Sequence, residues 1–339
     1  MRIALDAMGG DLAPAEPVKG ALLAAREYGI EVAIVGPQAR LQAELIKHPT
    51  DARVQIIDAG DTIAMDEDDI VREVRRHPEA AINVAMALVR DGKADAVVSA
   101  GNTGAVMASA FFVLGRIPGI ERPAVGMLLP YNSADVFLID VGANIDCRAS
   151  HIVQFGEMGA AYMERVRGVK NPRVGLLNNG EEPSKGNELA LEAYEKFKES
   201  NLNFIGNIEG AHVHKGVVDV VATDGFTGNI ALKVGEGIAD YILAQVRAVI
   251  KSSVLYTGAA VLLKPALRRA FKSMRYEEYG GANLLGVNGV VVIGHGRSDG
   301  MAVKNAIRVA KTAASSGLLE QMRASFAKTP APTSAAGGG

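Results

Sequence analysis

Tryptophan is missing from this chain of 339 residues, aromatic side chains make up 5% of it, and it holds one cysteine. The lone thiol, Cys147, excludes an internal disulfide and fits a reducing compartment. Neither sign of charge prevails: Lys and Arg number 36, Asp and Glu 38, for a formal net charge of −2. A broad basic surface for nucleic acid is therefore not expected. No run reaches the ~18 apolar residues a membrane-spanning helix needs. No basic start leads into a long apolar stretch, so no signal peptide is expected and the chain is read as cytoplasmic. Two nucleotide routes are also missing. No Gly-Lys is followed by Ser or Thr, and no Gly-x-Gly-x-x-Gly follows the first strand.

What is present is glycine (38 residues) and a 48% hydrophobic content, enough for a substantial core. Short apolar runs alternate with helical patterns. Strands are expected near Ile3–Leu5, Val32–Val35, Val54–Ile57, Ala96–Val98, Val125–Leu128, Phe137–Ile139, Val174–Leu177, Phe204–Ile205, Val217–Val221 and Val290–Ile293. Helices are expected at Ala15–Tyr28, Gln38–Ile46, Glu79–Arg90, Thr103–Leu114, Ile152–Val166, Glu188–Glu199, Gly228–Ile250 and Gly300–Ser315. This alternation predicts an α/β fold, a mostly parallel sheet flanked by helices. Residues 1–327 read as one unit, at most two lobes on a continuous scaffold, and 328–339 as a disordered tail.

Five strand ends share one character. They are Asp6-Ala-Met-Gly-Gly-Asp11, Ser99-Ala-Gly-Asn-Thr-Gly-Ala105, Asp140-Val-Gly-Ala-Asn-Ile-Asp146, Asn178–Asn187 and Asp224-Gly-Phe-Thr-Gly-Asn229. In a parallel sheet such ends lie along one edge, so these loops are expected to converge. Turn chemistry alone explains much of their Asn, Asp and Gly. It explains less well why Thr103, Lys185, Thr227 and Asn229 stand just before helices, where they and the first helical N–H groups would cradle a phosphate-like anion. Cys147 carries no activating signature and reads as a packing residue. His212 and His214 flank Val213 and would share a face on a strand; they read as surface or substrate-contact histidines rather than a metal pair. Asp66-Glu67-Asp68-Asp69 before Arg72, Arg75 and Arg76 follows the charge order that suits a helix dipole.

Near 250–276 the pattern changes. Apolar residues, among them Leu255, Leu262, Leu263, Leu267 and Phe271, recur at helical spacing between Val254 and Met274. Lys264, Arg268, Lys272 and Arg275 make a basic stripe. Pro265 is expected to divide the segment into two helices. Pattern alone leaves two readings open: contact with a membrane surface or acidic partner, or packing on the core or at a dimer contact.

Taken in order, these motifs identify a resemblance. With Gly175-Leu-Leu-Asn178, Gly180-Glu-Glu182, Lys185-Gly186, Phe204–Gly210, Tyr279-Gly-Gly-Ala282, Leu285-Gly286 and His295-Gly296, the chain resembles, almost end to end, the bacterial phosphate acyltransferases. These make acyl phosphate from acyl-acyl-carrier protein for phospholipid synthesis. The resemblance implies a fold similar to isocitrate and isopropylmalate dehydrogenases and phosphotransacetylases. It implies a homodimer with no metal and no cofactor, associated peripherally with the anionic inner face of the cell membrane. It also implies passage of product to the downstream glycerol-phosphate acyltransferase. Leu255, Leu262, Leu263, Lys264, Leu267, Arg268, Phe271 and Lys272 fall where that family meets the membrane. The chain departs from the pattern at Ala80 and Ala81, where serine is common, at Asn179, usually aliphatic, and at Asn283, usually proline.

The implied chemistry is attack of inorganic phosphate on a thioester. A phosphate with a second pKa of about 6 is already a dianion near neutrality. A thiol with a pKa of about 8.5 leaves with little acid assistance. Holding phosphate, orienting the thioester and stabilising the oxyanion are then the main tasks. Lys185, Asn229 and His212 are the catalytic candidates. Asn102, Thr103, Asn144, Thr227, Asp224, Asp6, Gly9, Gly10 and Asp11 are the phosphate and substrate candidates, with Asp6, Asp11, Asn144 and Asp224 chiefly shaping loops. Alternatives are an acyl-coenzyme A phosphotransacetylase, a metal- and NAD-dependent dehydrogenase, and a non-catalytic membrane adaptor for acyl-carrier protein.

Overall fold

In the computed structural model, which describes residues 1–49, 53–60, 62–65, 67, 69–131, 134–270 (side chains of 268–270 excepted) and 280–327, the apolar runs assemble into one 11-stranded sheet. β1 (Arg2–Asp6) lies between β2 (Glu31–Gly36) and β4 (Ala96–Ser99), and β3 (Val54–Asp58) closes that edge, all in parallel. Ile3, Ala4, Ile34 and Val97 are fully buried, as expected of strands covered on both faces. The covers on this side are α1 (Ala15–Tyr28), α2 (Gln38–Leu45), α3 (Ile70–Arg76), α4 (Ala81–Arg90), α5 (Thr103–Ser109) and a later helix, Gly300–Ser315.

Beyond β4 the order continues through Val290–Ile293, Ala282–Leu285, β5 (Ala124–Pro130), β6 (Asp135–Ile139), Val220–Ala222, β7 (Arg173–Asn178) and β8 (Asn203–Glu209). Val220–Ala222, Ala282–Leu285 and Val290–Ile293 are β9, β10 and β11. Seven of the ten pairings are parallel, so the sheet is mostly parallel as expected. A second core around Phe137, Ile139, Val174 and Val220 lies under α6 (Ala149–Arg167) and α7 (Glu188–Glu199).

The three antiparallel pairings overturn one expectation. β10 runs against β11 and β5, and β6 runs against β5. β6, β7, β8 and β9 therefore point opposite to β1, β2, β3, β4 and β11. Their C-terminal loops leave the sheet by the other end of the strands, and the five glycine loops do not share one rim. The reason is local: only Tyr131–Ala134 separates β5 from β6, and so short a connection permits only an antiparallel return.

Other differences are smaller. β10 and α11 (Leu318–Phe326) were not foreseen; β10 is only four residues and carries a buried polar Asn283. Residues Gly210–Lys215 form a 3-10 helix, so His212 and His214 do not share a strand face. α8 (Gly225–Lys251) begins three residues earlier than expected, which puts Thr227 and Asn229 inside its first turns. α9 (Val254–Ala270) is one helix with Pro265 inside it, rather than two. Proline removes a single ladder bond, and an exposed helix can leave the freed carbonyl to solvent. Asp66, Asp68, Phe271, Lys272, Arg275 and the tail 328–339 lie outside the described residues. The Gly300–Ser315 helix is α10.

Candidate active site

β6, β9 and β7 are parallel neighbours, and their C-terminal loops leave the sheet by the same end. The chain leaves β6 into Asp140, whose buried carboxylate takes five hydrogen bonds. The donors are the backbone N–H groups of Val125, Gly142, Ala143 and Asn144, and Asn144 Nδ2, at 2.8–3.2 Å. Burial pushes the Asp140 carboxyl up from its ordinary value, against the pull of those donors. Asn144 Nδ2 also donates to the Pro123 carbonyl at 2.8 Å. Asn144 is thus a brace that fixes its own loop.

Against this loop stands the start of α8. Asp224 caps it, accepting the Thr227 N–H at 2.9 Å, and the Gly225 N–H donates to the Asn144 carbonyl at 2.8 Å. The approach is so close that a Cβ at Gly228 would lie 1.9 Å from the Asp140 carbonyl oxygen. Asn229 lies over Gly142, its Cγ and Nδ2 each 3.5 Å from where a Cβ would be. A helix of 27 residues directs the positive end of its dipole here. Thr227 is exposed and Asn229 half-buried, and neither side chain has a hydrogen-bond partner among the described residues.

The loop after β7 carries Lys185. Asn178 Nδ2 donates to the Lys185 carbonyl at 3.0 Å, and the Lys185 side chain folds over Gly180 with an exposed, unpaired ammonium among the described residues. His212, in the 3-10 helix after β8, meets Glu181 of this loop, Nδ1 to Oε1 at 2.6 Å. Asn207 of β8 donates through Nδ2 to the Glu182 carbonyl at 2.8 Å, and its buried Oδ1 has no partner among the described residues. Sequence reasoning passed over Asp140 and Asn207 as site residues; Asp140 follows a buried apolar run, the signal that should have marked it, whereas Asn207 follows exposed Ile205 and carries no such signal.

The remaining candidates gather at the other strand end. Asp6 accepts from the Met8 N–H at 3.1 Å and the Ser99 hydroxyl at 2.7 Å, and a Cβ at Gly9 would lie 2.6 Å from the Gly101 nitrogen. The Asp11 N–H donates to the Gly296 carbonyl at 2.8 Å, beside Gly10 and His295. Asn102 spends both ends of its amide inside the protein: Oδ1 caps α5 by accepting the Ala105 N–H at 3.1 Å, and Nδ2 donates to the Met65 carbonyl at 2.9 Å. One Nδ2 hydrogen is left for an outside acceptor, and the residue stands at the opposite end of the sheet from Asn229. Thr103 is exposed at the first position of α5.

Cys147 donates to the Asn144 carbonyl at 3.5 Å, and burial pushes its thiol up to about 11, unlike an activated nucleophile. No three His, Cys, Asp or Glu side chains form a metal cage among the described residues.

Comparison with known proteins agrees with this architecture. A family model described as "Fatty acid synthesis protein" matches residues 1–321. A phosphate acyltransferase of Pelotomaculum thermopropionicum is 49% identical over 326 residues, covering 96% of this chain and 95% of that protein. One of Nostoc punctiforme is 47% identical over 329 residues, covering 96% of each. Among solved structures, the EutD phosphotransacetylase of Staphylococcus aureus shares the fold at 16% identity, with a TM-score of 0.60 over 93% of this chain and 94% of that one. So does a 4-hydroxythreonine-4-phosphate dehydrogenase of Klebsiella pneumoniae, at 16% identity and a TM-score of 0.54 over 93% and 99%. The motifs, the mixed sheet and the near-complete match to these relatives place the chain in the phosphate acyltransferase family.

Proposed function

We propose that this chain transfers a fatty acyl group from acyl-carrier protein to inorganic phosphate, and that the reaction takes place at the ends of β6, β9 and β7. One observation carries the assignment. Thr227 and Asn229 lie in the first turns of a long helix, Lys185 lies in a loop at the same end of the sheet, and none of the three side chains has a partner among the described residues. These groups would hold the phosphate dianion. A phosphate oxygen attacks the thioester carbon, the carbonyl oxygen takes up the charge, the C–S bond breaks, and the thiolate is protonated by solvent. The positive end of the α8 dipole would stabilise the oxyanion. His212, held by Glu181, orients the Lys185 loop from its far side. Thr103, Asp11, Gly9 and Gly10 receive no step in this account.

Lys185→Ala and Asn229→Ala test it. Acyl phosphate, trapped with hydroxylamine, should form more slowly by about a hundredfold or more, with phosphate affinity reduced. Near-normal rate and affinity in both variants would reject the assignment. Comparing acyl-carrier protein with acyl-coenzyme A as donor separates this reading from a phosphotransacetylase. The adaptor reading predicts carrier binding without turnover.

The same proposal includes a homodimer at a membrane surface. Ile230, Val234, Ile238 and Tyr241 lie exposed at spacings of four, four and three on α8, a face suited to a second copy. Leu255 and Leu262 of α9 are 76% and 84% exposed, beside exposed Lys264. No helix among the described residues is long and apolar enough to cross a membrane, so the contact would be peripheral. Charge reversal at Lys264 and Arg268 should weaken co-sedimentation with anionic vesicles; unchanged binding would count against it.

A further inference from the structure

Away from the site, α5 passes at Ala110–Leu114 into a π-helical turn, a form that concentrates at functional places. There Phe111 and Phe112, adjacent in sequence, are 43% and 37% exposed, their rings edge to face at 5.4 Å. Arg75 of α3 lies over Phe112, its Cζ 4.3 Å from the ring centre, and Arg116 lies over Phe111 at 5.6 Å. Arg76 is exposed beside Arg75 and has no partner among the described residues. The acid of the same helix, Glu73, is turned to His77 at 3.2 Å. An arginine stacked on a ring is held in place and still offers N–H groups to a carboxylate.

We infer that this patch docks the protein carrier of the acyl donor, through an acidic surface with apolar residues among its acids. The inference rests on the carrier-dependent reading above. Charge complementarity selects this occupant: paired phenylalanines ringed by arginines are the composition of an interface centre that meets acids. A second copy docked by two-fold symmetry would bring the same arginines into one interface, where they would repel. The patch also lies close to the chemistry. Arg116 is joined to Pro123, the residue that holds Asn144, by seven peptide units, which span at most about 25 Å. A thioester on a long flexible arm can cross that gap while its carrier stays docked.

The test uses the full chain with Arg75→Glu and Arg116→Glu, separately and together, and Phe112→Ser. Calorimetric binding of acyl-carrier protein should weaken by about tenfold or more in each variant. The weakening should shrink at high salt for the arginine variants and persist for Phe112→Ser. Turnover of the same acyl group on a pantetheine thioester should stay at the wild-type level. Unchanged carrier binding would overturn the proposal. So would equal losses with both donors, a changed dimer mass on sedimentation, or lost vesicle binding with carrier binding intact. If the wild-type protein binds carrier through this patch yet makes no acyl phosphate, the functional reading fails and the docking surface stands.

Discussion

Replacing Gly228 by alanine probes the contact on which the site depends. A Cβ there would lie 1.9 Å from the Asp140 carbonyl oxygen, 2.9 Å from Thr223 Cγ2 and 3.0 Å from the Asp140 carbonyl carbon. The nearest of these is backbone, so no rotamer change relieves it. To reach ordinary contact at 3.4 Å, the first turn of α8 and the Asp140 loop must part by roughly 1.5 Å. Overpacking of this kind costs about 1–3 kcal/mol. Alanine returns up to about 1 kcal/mol through helix propensity, leaving a modest net loss of stability. Activity should suffer far more. A shift of about 1 Å in groups that position a reactant costs on the order of a hundredfold. The assay is acyl phosphate formation beside urea unfolding. The control lies on the same helix: a Cβ at Gly235 meets nothing within 4 Å, so Gly235→Ala should raise stability by up to about 1 kcal/mol and leave turnover alone. Wild-type turnover in Gly228→Ala, or equal damage from Gly235→Ala, would refute the reasoning.

Three further outcomes are expected. Asp140→Asn turns one acceptor into a donor facing backbone N–H groups, and should lower the unfolding free energy by about 2–3 kcal/mol; a urea midpoint matching wild type would deny the carboxylate its bracing role. Cys147→Ala should keep turnover within about twofold, and the native thiol should react sluggishly with iodoacetamide at pH 8, because burial holds it protonated; rapid alkylation followed by mass spectrometry would contradict this. His151 sits buried with its Nδ1 accepting the Arg148 N–H at 3.1 Å and its Nε2 facing Glu121 at 3.0 Å, and burial lowers its pKa despite that carboxylate. The unfolded chain therefore binds its proton first. The neutral form's contribution to stability is complete above the ordinary histidine value and is lost as pH falls through the folded value. Stability measured from pH 7 downward should decline less in His151→Gln than in the wild type.

Much of the site was legible in the linear chain because it is made of local chemistry. Asp224 and Asn102 precede helical runs and cap them, as short polar side chains at that position do. Asp140 ends a buried strand before Gly142, and its bonds go mostly to its own next residues. The cores follow from apolar runs such as Val97–Val98 and Phe137–Ile139. Strand direction was not legible in the same way. An apolar run reads alike in either direction, and the four-residue return between β5 and β6 was the one local clue to the reversal.

The sequence by itself therefore determined the α/β class and the glycine-rich strand ends, since each depends on neighbours a few positions away. Tertiary structure alone decided that Lys185 stands at the same end of the sheet as Asn229 while Asn102 leaves by the other, and that Arg75 covers Phe112. Those relations join residues tens of positions apart. They are set by which strands pair and in which sense, a choice made by the packing of the whole sheet.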